Sequence, residues 1–225
     1  MNSIKEQFDS VSKKYDIQRK YLIPCFVDFY TSCLPVIKKL HPAQKVLDIG
    51  AGTGLFTQFV YQQRSDLYFT LIDISKEMLS VAKERFAGLA NFEFMELDFS
   101  IEPIVQKYDL IISALAIHHL EDEQKARLYQ HIFDALDIGG VFINADQVEG
   151  RTSWFDDFYK SDWKDAVIYS GLEPQAIEKA FERIKLDKFA KLETQLKMLE
   201  YAGFEQTDCI YKYNNFVVMA AIKNT

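Results

Sequence analysis

Cysteine is scarce in this chain, with only Cys25, Cys33 and Cys209 among 225 residues. Three is an odd number, and no two of them form a C-x-x-C pair. That argues against a disulfide framework or a thiolate zinc site and for a reducing compartment. Cys25 and Cys33 read as two buried apolar thiols. Long apolar runs are also lacking: the longest, near residues 110–116, is far too short to span a bilayer. The first residues hold Lys5, Glu6 and Asp9 close together and no secretory apolar stretch, so a cytoplasmic location is expected. Positive charge is in deficit, 26 Lys and Arg against 33 Asp and Glu, a net of −7. A broad phosphate-binding face is therefore not expected, and nucleic acid is a poor candidate partner. A small-molecule substrate is the expected one, and a homodimer stays open. What is abundant is core material: 48% hydrophobic and 14% aromatic residues suit one ordinary globular domain over residues 1–225.

The chain is organised around Val46-Leu47-Asp48-Ile49-Gly50-Ala51-Gly52-Thr53-Gly54. A short β-branched run has the character of a buried parallel strand. It stops in three alternating glycines, and an amphipathic segment follows from Leu55 to Tyr61. Strand, glycine turn and helix bring backbone N–H groups close to a ligand. Asp48 at the strand end can orient that loop or accept from a cationic ligand. A dinucleotide fingerprint would require a third glycine at position 55, which is Leu55. From there strand and helix alternate: Tyr68–Asp73, then a helix over Lys76–Phe86, then a strand over Phe92–Leu97. A buried strand beginning at Tyr108 runs into His118-His119, a turn is expected at Asp137–Gly140, and Val141–Asp146 is a further strand. Helices are expected over 2–14 and 18–40 before this core, Pro24 sitting in a first turn. Residues 149–185 form an aromatic helical insertion, Leu192–Ala202 a helix, and Glu205–Tyr213 with Phe216–Ile222 a closing hairpin.

The G-x-G-x-G loop preceded by Asp48, with Asp73, Asp98 and the Asp109–His119 stretch in order, resembles the class I S-adenosylmethionine (SAM)-dependent methyltransferases. The resemblance covers residues 41–147 strongly and 190–225 moderately. It implies an α/β Rossmann-like fold, a seven-stranded, mostly parallel sheet with helices on both faces and a helical cap. Residues 1–40 would form cap helices, 41–147 the SAM-binding core, 148–185 the cap insertion and 186–225 the closing helix and hairpin. The cofactor would be SAM, with S-adenosylhomocysteine (SAH) as product. Asp48, Gly50, Gly52, Gly54, Asp73, Ile74, Met78, Asp98, Phe99, Ser113 and Ala114 are the implied cofactor-binding positions. Asp73, 19 residues after Gly54, suits the ribose hydroxyls, its alternative role being a helix N-cap that Ser75 can fill instead. Met78 suits either the adenine face or plain core, and Asp98 either the adenine amino group or a turn.

The resemblance further implies that Tyr15, Arg19 and, more weakly, Tyr21 face an acceptor pocket from the N-terminal helices, joined by Trp154 and Tyr159 of the cap. Packed core and a cap stapled to the body by its rings are the competing readings. His118 and His119 are candidate general bases, with Asp146 orienting them. Helix capping and simple packing are the alternatives, and no metal is expected although His118, His119 and Asp146 could form a ligand set. The expected function is methyl transfer from SAM to a small, aromatic or apolar acceptor. The cap and hairpin also faintly resemble carboxy-SAM synthases of tRNA wobble-uridine modification. Those enzymes use an arginine where Met198 stands here, which favours ordinary SAM. A non-catalytic SAM-binding protein is a third reading.

Overall fold

The structure is a computed structural model that describes residues 15–40 and 45–224. The helix expected over 2–14 lies outside the described residues. The segment expected to form one helix over 18–40 is three short ones: α1 (Tyr15–Leu22), α2 (Phe26–Thr31) and α3 (Leu34–Lys39). Proline accounts for both breaks. Pro24 carries no N–H to continue α1, and Pro35 occupies the first turn of α3, where a missing donor costs nothing.

The sheet strands are β1 (Lys45–Ile49), β2 (Tyr68–Asp73), β3 (Phe92–Glu96), β4 (Tyr108–Ala114), β5 (Leu136–Gln147), β6 (Gln206–Tyr213) and β7 (Phe216–Ile222). They lie in the order β3-β2-β1-β4-β5-β7-β6. β1 to β5 pair in parallel, and β7 runs antiparallel between β5 and β6. This is the α/β, Rossmann-like sheet, seven-stranded and mostly parallel, that the resemblance implies. Strand order reverses between β1 and β4, and ligands in open α/β sheets bind in the crevice at the carboxyl ends beside such a switch.

Between the strands run α4 (Leu55–Gln63), α5 (Lys76–Arg85), α6 (Asp122–Ala135), α7 (Ser153–Ile168), α8 (Pro174–Arg183) and α9 (Leu192–Tyr201). Alternate strand residues feed two cores. Leu110, Ile112, Val141 and Ile143 meet α1–α5, α7 and α8 on one face, while Ile111 and Phe142 meet α6 and α9 on the other. Several boundaries differ from the sequence expectation, most by a single residue. The expected turn at 137–140 is the irregular start of β5, where Gly139 takes φ +81° and donates to the Lys223 carbonyl. The third strand stops at Glu96, one residue short. No helix of the described residues is long and apolar enough to cross a membrane.

Candidate active site

At the carboxyl end of β1 the glycine loop is fixed mainly by backbone donors. Asp73 Oδ2 accepts from the Gly52 N–H at 2.8 Å, and its Oδ1 accepts from the Ser75 N–H at 2.8 Å. Ser75 caps α5 itself by accepting from the Met78 N–H, which leaves Asp73 to tie β2 to the loop. Gly50, Gly52 and Gly54 all take positive φ, which strains any residue with a Cβ. At Gly50 a Cβ would also meet the Ala116 side chain at 2.4 Å. Asp48 is buried and accepts from Thr57 Oγ1 at 2.5 Å. Burial raises its pKa to about 7 against the Thr57 bond. Its Oδ1 is buried with no hydrogen-bond partner among the described residues. A second network joins the loop to α1. Thr53 Oγ1 donates to Asp16 at 2.6 Å, and Arg85 bonds Asp16, Gln58 and the Thr53 carbonyl.

A second cluster of polar side chains is assembled at β4 and β5. After Ala114 the backbone passes through Leu115 at φ +54°, a conformation costly for a branched residue and held here by its N–H to the Ala145 carbonyl. A single turn of 3-10 helix, Ile117–His119, follows. His118 is buried, with Nδ1 2.5 Å from Asp146 Oδ1 and its backbone N–H on Asp146 Oδ2. The carboxylate makes Nδ1 the donor and leaves Nε2 as the basic nitrogen, 3.5 Å from Asp187. Burial works to lower the His118 pKa, and the Asp146 and Asp187 carboxylates outweigh it, so the imidazole sits above its usual value. His119 stands 3.0 Å from Asp187, yet burial and its charged neighbour His118 lower its pKa to about 4. One imidazole is therefore basic and the other stays neutral.

A cavity of about 60 Å³ opens beside this pair. Its walls combine apolar groups, among them Leu22, Trp163 and Phe216, with Arg19, His118 and Arg183. Trp163 Nε1 donates to the Leu22 carbonyl at 2.8 Å, so the cap helix α7 is pinned to α1. Beneath it the buried Lys125 gathers the Leu120 and Lys188 carbonyls, each at 2.7 Å, and Asp122. That knot holds residues 184–190 against the histidine turn, together with the Lys188 N–H on the His118 carbonyl.

The expected residues divide unevenly. Arg19, His118 and His119 come together on the cavity wall, with Asp146 behind them. Tyr21 is 39% exposed and Trp154 66% exposed, and neither lines the cavity. Tyr159 lies instead against Lys212, whose Nζ stands 4.8 Å from the ring centroid. The expectation for these three therefore gives way to Trp163, which lies nine residues after Trp154, roughly half a helical turn round. The expectation for Tyr15 concerns a side chain outside the described residues. Asp98 accepts from Ser100 N–H and Oγ, the turn role, and Ser113 Oγ donates to the Ile49 carbonyl. Met78 and Phe99 are buried, and Ile74 and Ala114 are half-buried at strand ends. Neither histidine caps α6, because Glu121 and Gln124 form its capping box. The ligand set imagined with Asp146 is made with Asp187: His118, His119 and Asp187 offer atoms within 4.8 Å of one another. The guanidinium groups on the same wall oppose a divalent cation there. Arg183 and Trp163 had no sequence signal beyond their place in a charged, aromatic insertion, and Asp187, just after it, had none.

Residues 47–142 match the family model described as a methyltransferase domain. The chain is similar to the carboxy-S-adenosyl-L-methionine synthase of Nautilia profundicola, 23% identical over 98% of this chain and 96% of that protein. It is 34% identical to malonyl-[acyl-carrier protein] O-methyltransferase 1 of Ilyobacter polytropus, over 42% of this chain and 35% of that protein. In fold it is similar to the DhpI–SAH complex, with a TM-score of 0.67 at 18% identity over 99% of this chain and 96% of that one. The match over residues 47–142, with the glycine loop and sheet order above, makes this chain similar to the class I SAM-dependent methyltransferase family. SAM is the cofactor of that family, and the residues present suit it. The unpartnered, buried Asp48 Oδ1 matches an ammonium group, and the Gly52 Cα faces open space.

Proposed function

We propose that the chain transfers the methyl group of SAM to a hydroxyl of a small acceptor held in the cavity, with His118 as general base and Asp146 orienting it. The observation that carries this reading is the buried His118–Asp146 pair on the cavity wall, at the carboxyl ends of β4 and β5. Asp48 would pair with the cofactor's ammonium, the loop of Gly50, Gly52 and Gly54 would pass beneath its amino acid part, and Asp73 would accept from the ribose. Met78, Phe99 and the free side of Asp98 would bound the adenine, near Ile74, with Ser113 and Ala114 at the methyl-transfer end. When bound, SAM supplies a methyl group on a positively charged sulfur.

The chain's own task is threefold. The cavity aligns the acceptor, and α1, α7 and α8 exclude water. His118 Nε2 would take the proton of the acceptor hydroxyl, whose place on oxygen the methyl group supplied by SAM would fill. Mass spectrometry of small molecules released from freshly purified protein tests the reading first. SAM or SAH is the expected finding, and SAH release on incubation with SAM and hydroxylated aromatics is the second. Protein that neither carries nor binds SAM or SAH would overturn it.

One observation favours a second reading, carboxy-SAM synthesis: the end-to-end likeness to the synthase of Nautilia profundicola. Against it, Met198 is partly buried against the core under α6, so no cation stands at the position where the resemblance calls for an arginine. Carboxy-SAM among the released molecules would decide for this alternative.

A further inference from the structure

The face of α1 that borders the cavity is also bonded to the glycine loop. Asp16, Arg19 and Ile23 follow one another at i, i+3 and i+7, so a single stripe of the helix carries them. Arg19, Leu22 and Ile23 line the cavity. Asp16, in the first turn, reaches the loop instead. Its Oδ1 accepts from Thr53 Oγ1 at 2.6 Å, and its Oδ2 accepts from Arg85. The opposite end of α1 is tied to the cap, where Trp163 donates to the Leu22 carbonyl at 2.8 Å.

Arg85 is the centre of this contact. It stands in the last turn of α5 and divides its guanidinium among three partners: Nε on the Thr53 carbonyl at 2.8 Å, Nη1 on Gln58 of α4 and Nη2 on Asp16 of α1. The planar fork fixes the relative directions of those bonds, which an ammonium on a flexible stem would not. The Arg85 side chain is 17% exposed and that of Asp16 29%, so the pair is partly shielded from water and stronger than a fully exposed one. Thr53 is buried and sits between Gly52 and Gly54, both at positive φ. Glycine constrains the backbone least, so the place of the Thr53 peptide depends on its bonded neighbours. On one side Asp73 holds the Gly52 N–H at 2.8 Å, and on the other Arg85 and Asp16 hold Thr53.

We propose that Arg85 and Asp16 are positioning residues that latch α1 to the glycine loop, so that a cofactor gripped by the loop also holds α1 over the acceptor cavity. The proposal rests on the methyl-transfer reading for the word cofactor, and it deepens that reading by giving the regulation of the site: binding of the methyl donor closes the acceptor pocket. The coupling is reciprocal, because two events linked through one equilibrium favour each other by the same factor. One hydroxyl bond and one partly exposed ion pair give a coupling of about tenfold, toward the lower end of the usual range.

The test reads hydrogen exchange by mass spectrometry on the full chain, with and without SAH, beside calorimetry of SAH binding. In the wild type, SAH should slow exchange in α1 by about tenfold, together with that of the glycine loop. In Asp16→Ala, SAH should still slow the loop but no longer α1, and its affinity should fall by the factor by which it slows wild-type α1. Arg85→Met should lose the α1 response as well, and Arg85→Lys should keep part of it. A merely structural role would loosen α1 equally in free and loaded protein and leave SAH affinity where it was. That result would overturn the proposal, as would wild-type α1 exchange that SAH leaves unchanged. A wild type that binds no SAH would strike the methyl-transfer reading, and the latch would then be decided on the free chain. There Asp16→Ala should speed exchange at Thr53 and Gly54, and unchanged exchange at both overturns it.

Discussion

The loop after β1 and the loop after β4 sit side by side at the same sheet edge, yet they are held in different ways. Around Gly50, Gly52 and Gly54 the fixing bonds are mostly to backbone groups of adjacent strands, as when Asp73 of β2 accepts from Gly52. Around His118 the fixing partners are side chains from further along the chain: Asp146 from β5 and Asp187 after α8. The first arrangement is set as soon as the parallel sheet forms. The second is complete only when α1, the cap and the strap at 184–190 have all docked. A site of the first kind suits a cofactor shared by many enzymes, and a site of the second kind can change its acceptor without disturbing the sheet.

If that division is real, changes in the two halves should separate turnover from cofactor affinity, and the largest effect should fall on His118. His118→Asn should lower kcat by about 10²–10⁴-fold while SAH affinity stays near wild type. The base must be neutral to accept a proton, and its pKa lies above the usual histidine value. The rate should therefore climb with pH above about 6.5 and then level off. Asp146→Asn removes the principal raising influence, so the rising limb should move to lower pH as kcat falls. A pH–rate profile that does not move in Asp146→Asn would break the assignment of His118 as base.

Asp73→Ala probes the other half. It should weaken SAH binding by about a hundredfold, since it removes charge-assisted bonds and frees the Gly52 N–H. Wild-type affinity in calorimetry would remove the ribose role. The reach of sequence reasoning follows the same division. The glycine loop, Asp48 and Asp73 were legible because strand, turn and helix encode them within about thirty residues, and the sheet followed from the same alternation. Arg19, His118 and Asp146 were legible as candidates. The meeting of Arg19, Arg183 and His119 around Asp187 was not, since it depends on how the cap docks and no local periodicity records that. The three-helix start was half legible: Pro24 marked one break, and Pro35 marked another that an aromatic run concealed.

Lys125→Met tests whether the acceptor half is the later-docked part. The lysine is fully buried on three acceptors, and its loss strands the Leu120 and Lys188 carbonyls. The expected cost is about 2–4 kcal/mol, or a fall in Tm of roughly 5–15 °C by calorimetry. SAH affinity below the transition should change far less than kcat. A smaller effect belongs to Asp48. Its carboxyl must ionise to pair with an ammonium, and without one it titrates near 7. SAM affinity should therefore rise severalfold between about pH 5.5 and 7.5, and Asp48→Asn should flatten that rise. An unchanged slope in the variant would assign the titration to another group.

The smallest effect sharpens the comparison within a single helix. Trp154 and Trp163 both belong to α7 and carry the same apolar ring, but nine residues turn them to opposite faces. Trp154 stacks on Phe158 in solvent, whereas Trp163 is 7% exposed, bonds the Leu22 carbonyl and walls the cavity. Trp154→Ala should shift stability by about 0.5 kcal/mol or less and leave kcat and KM unchanged. Trp163→Ala should cost about 3–5 kcal/mol and raise KM, because it empties the wall and releases α7 from α1. A loss of turnover in Trp154→Ala at full stability would mean that the acceptor reaches the outer face of the cap, and the cavity beside His118 would then be only part of the site.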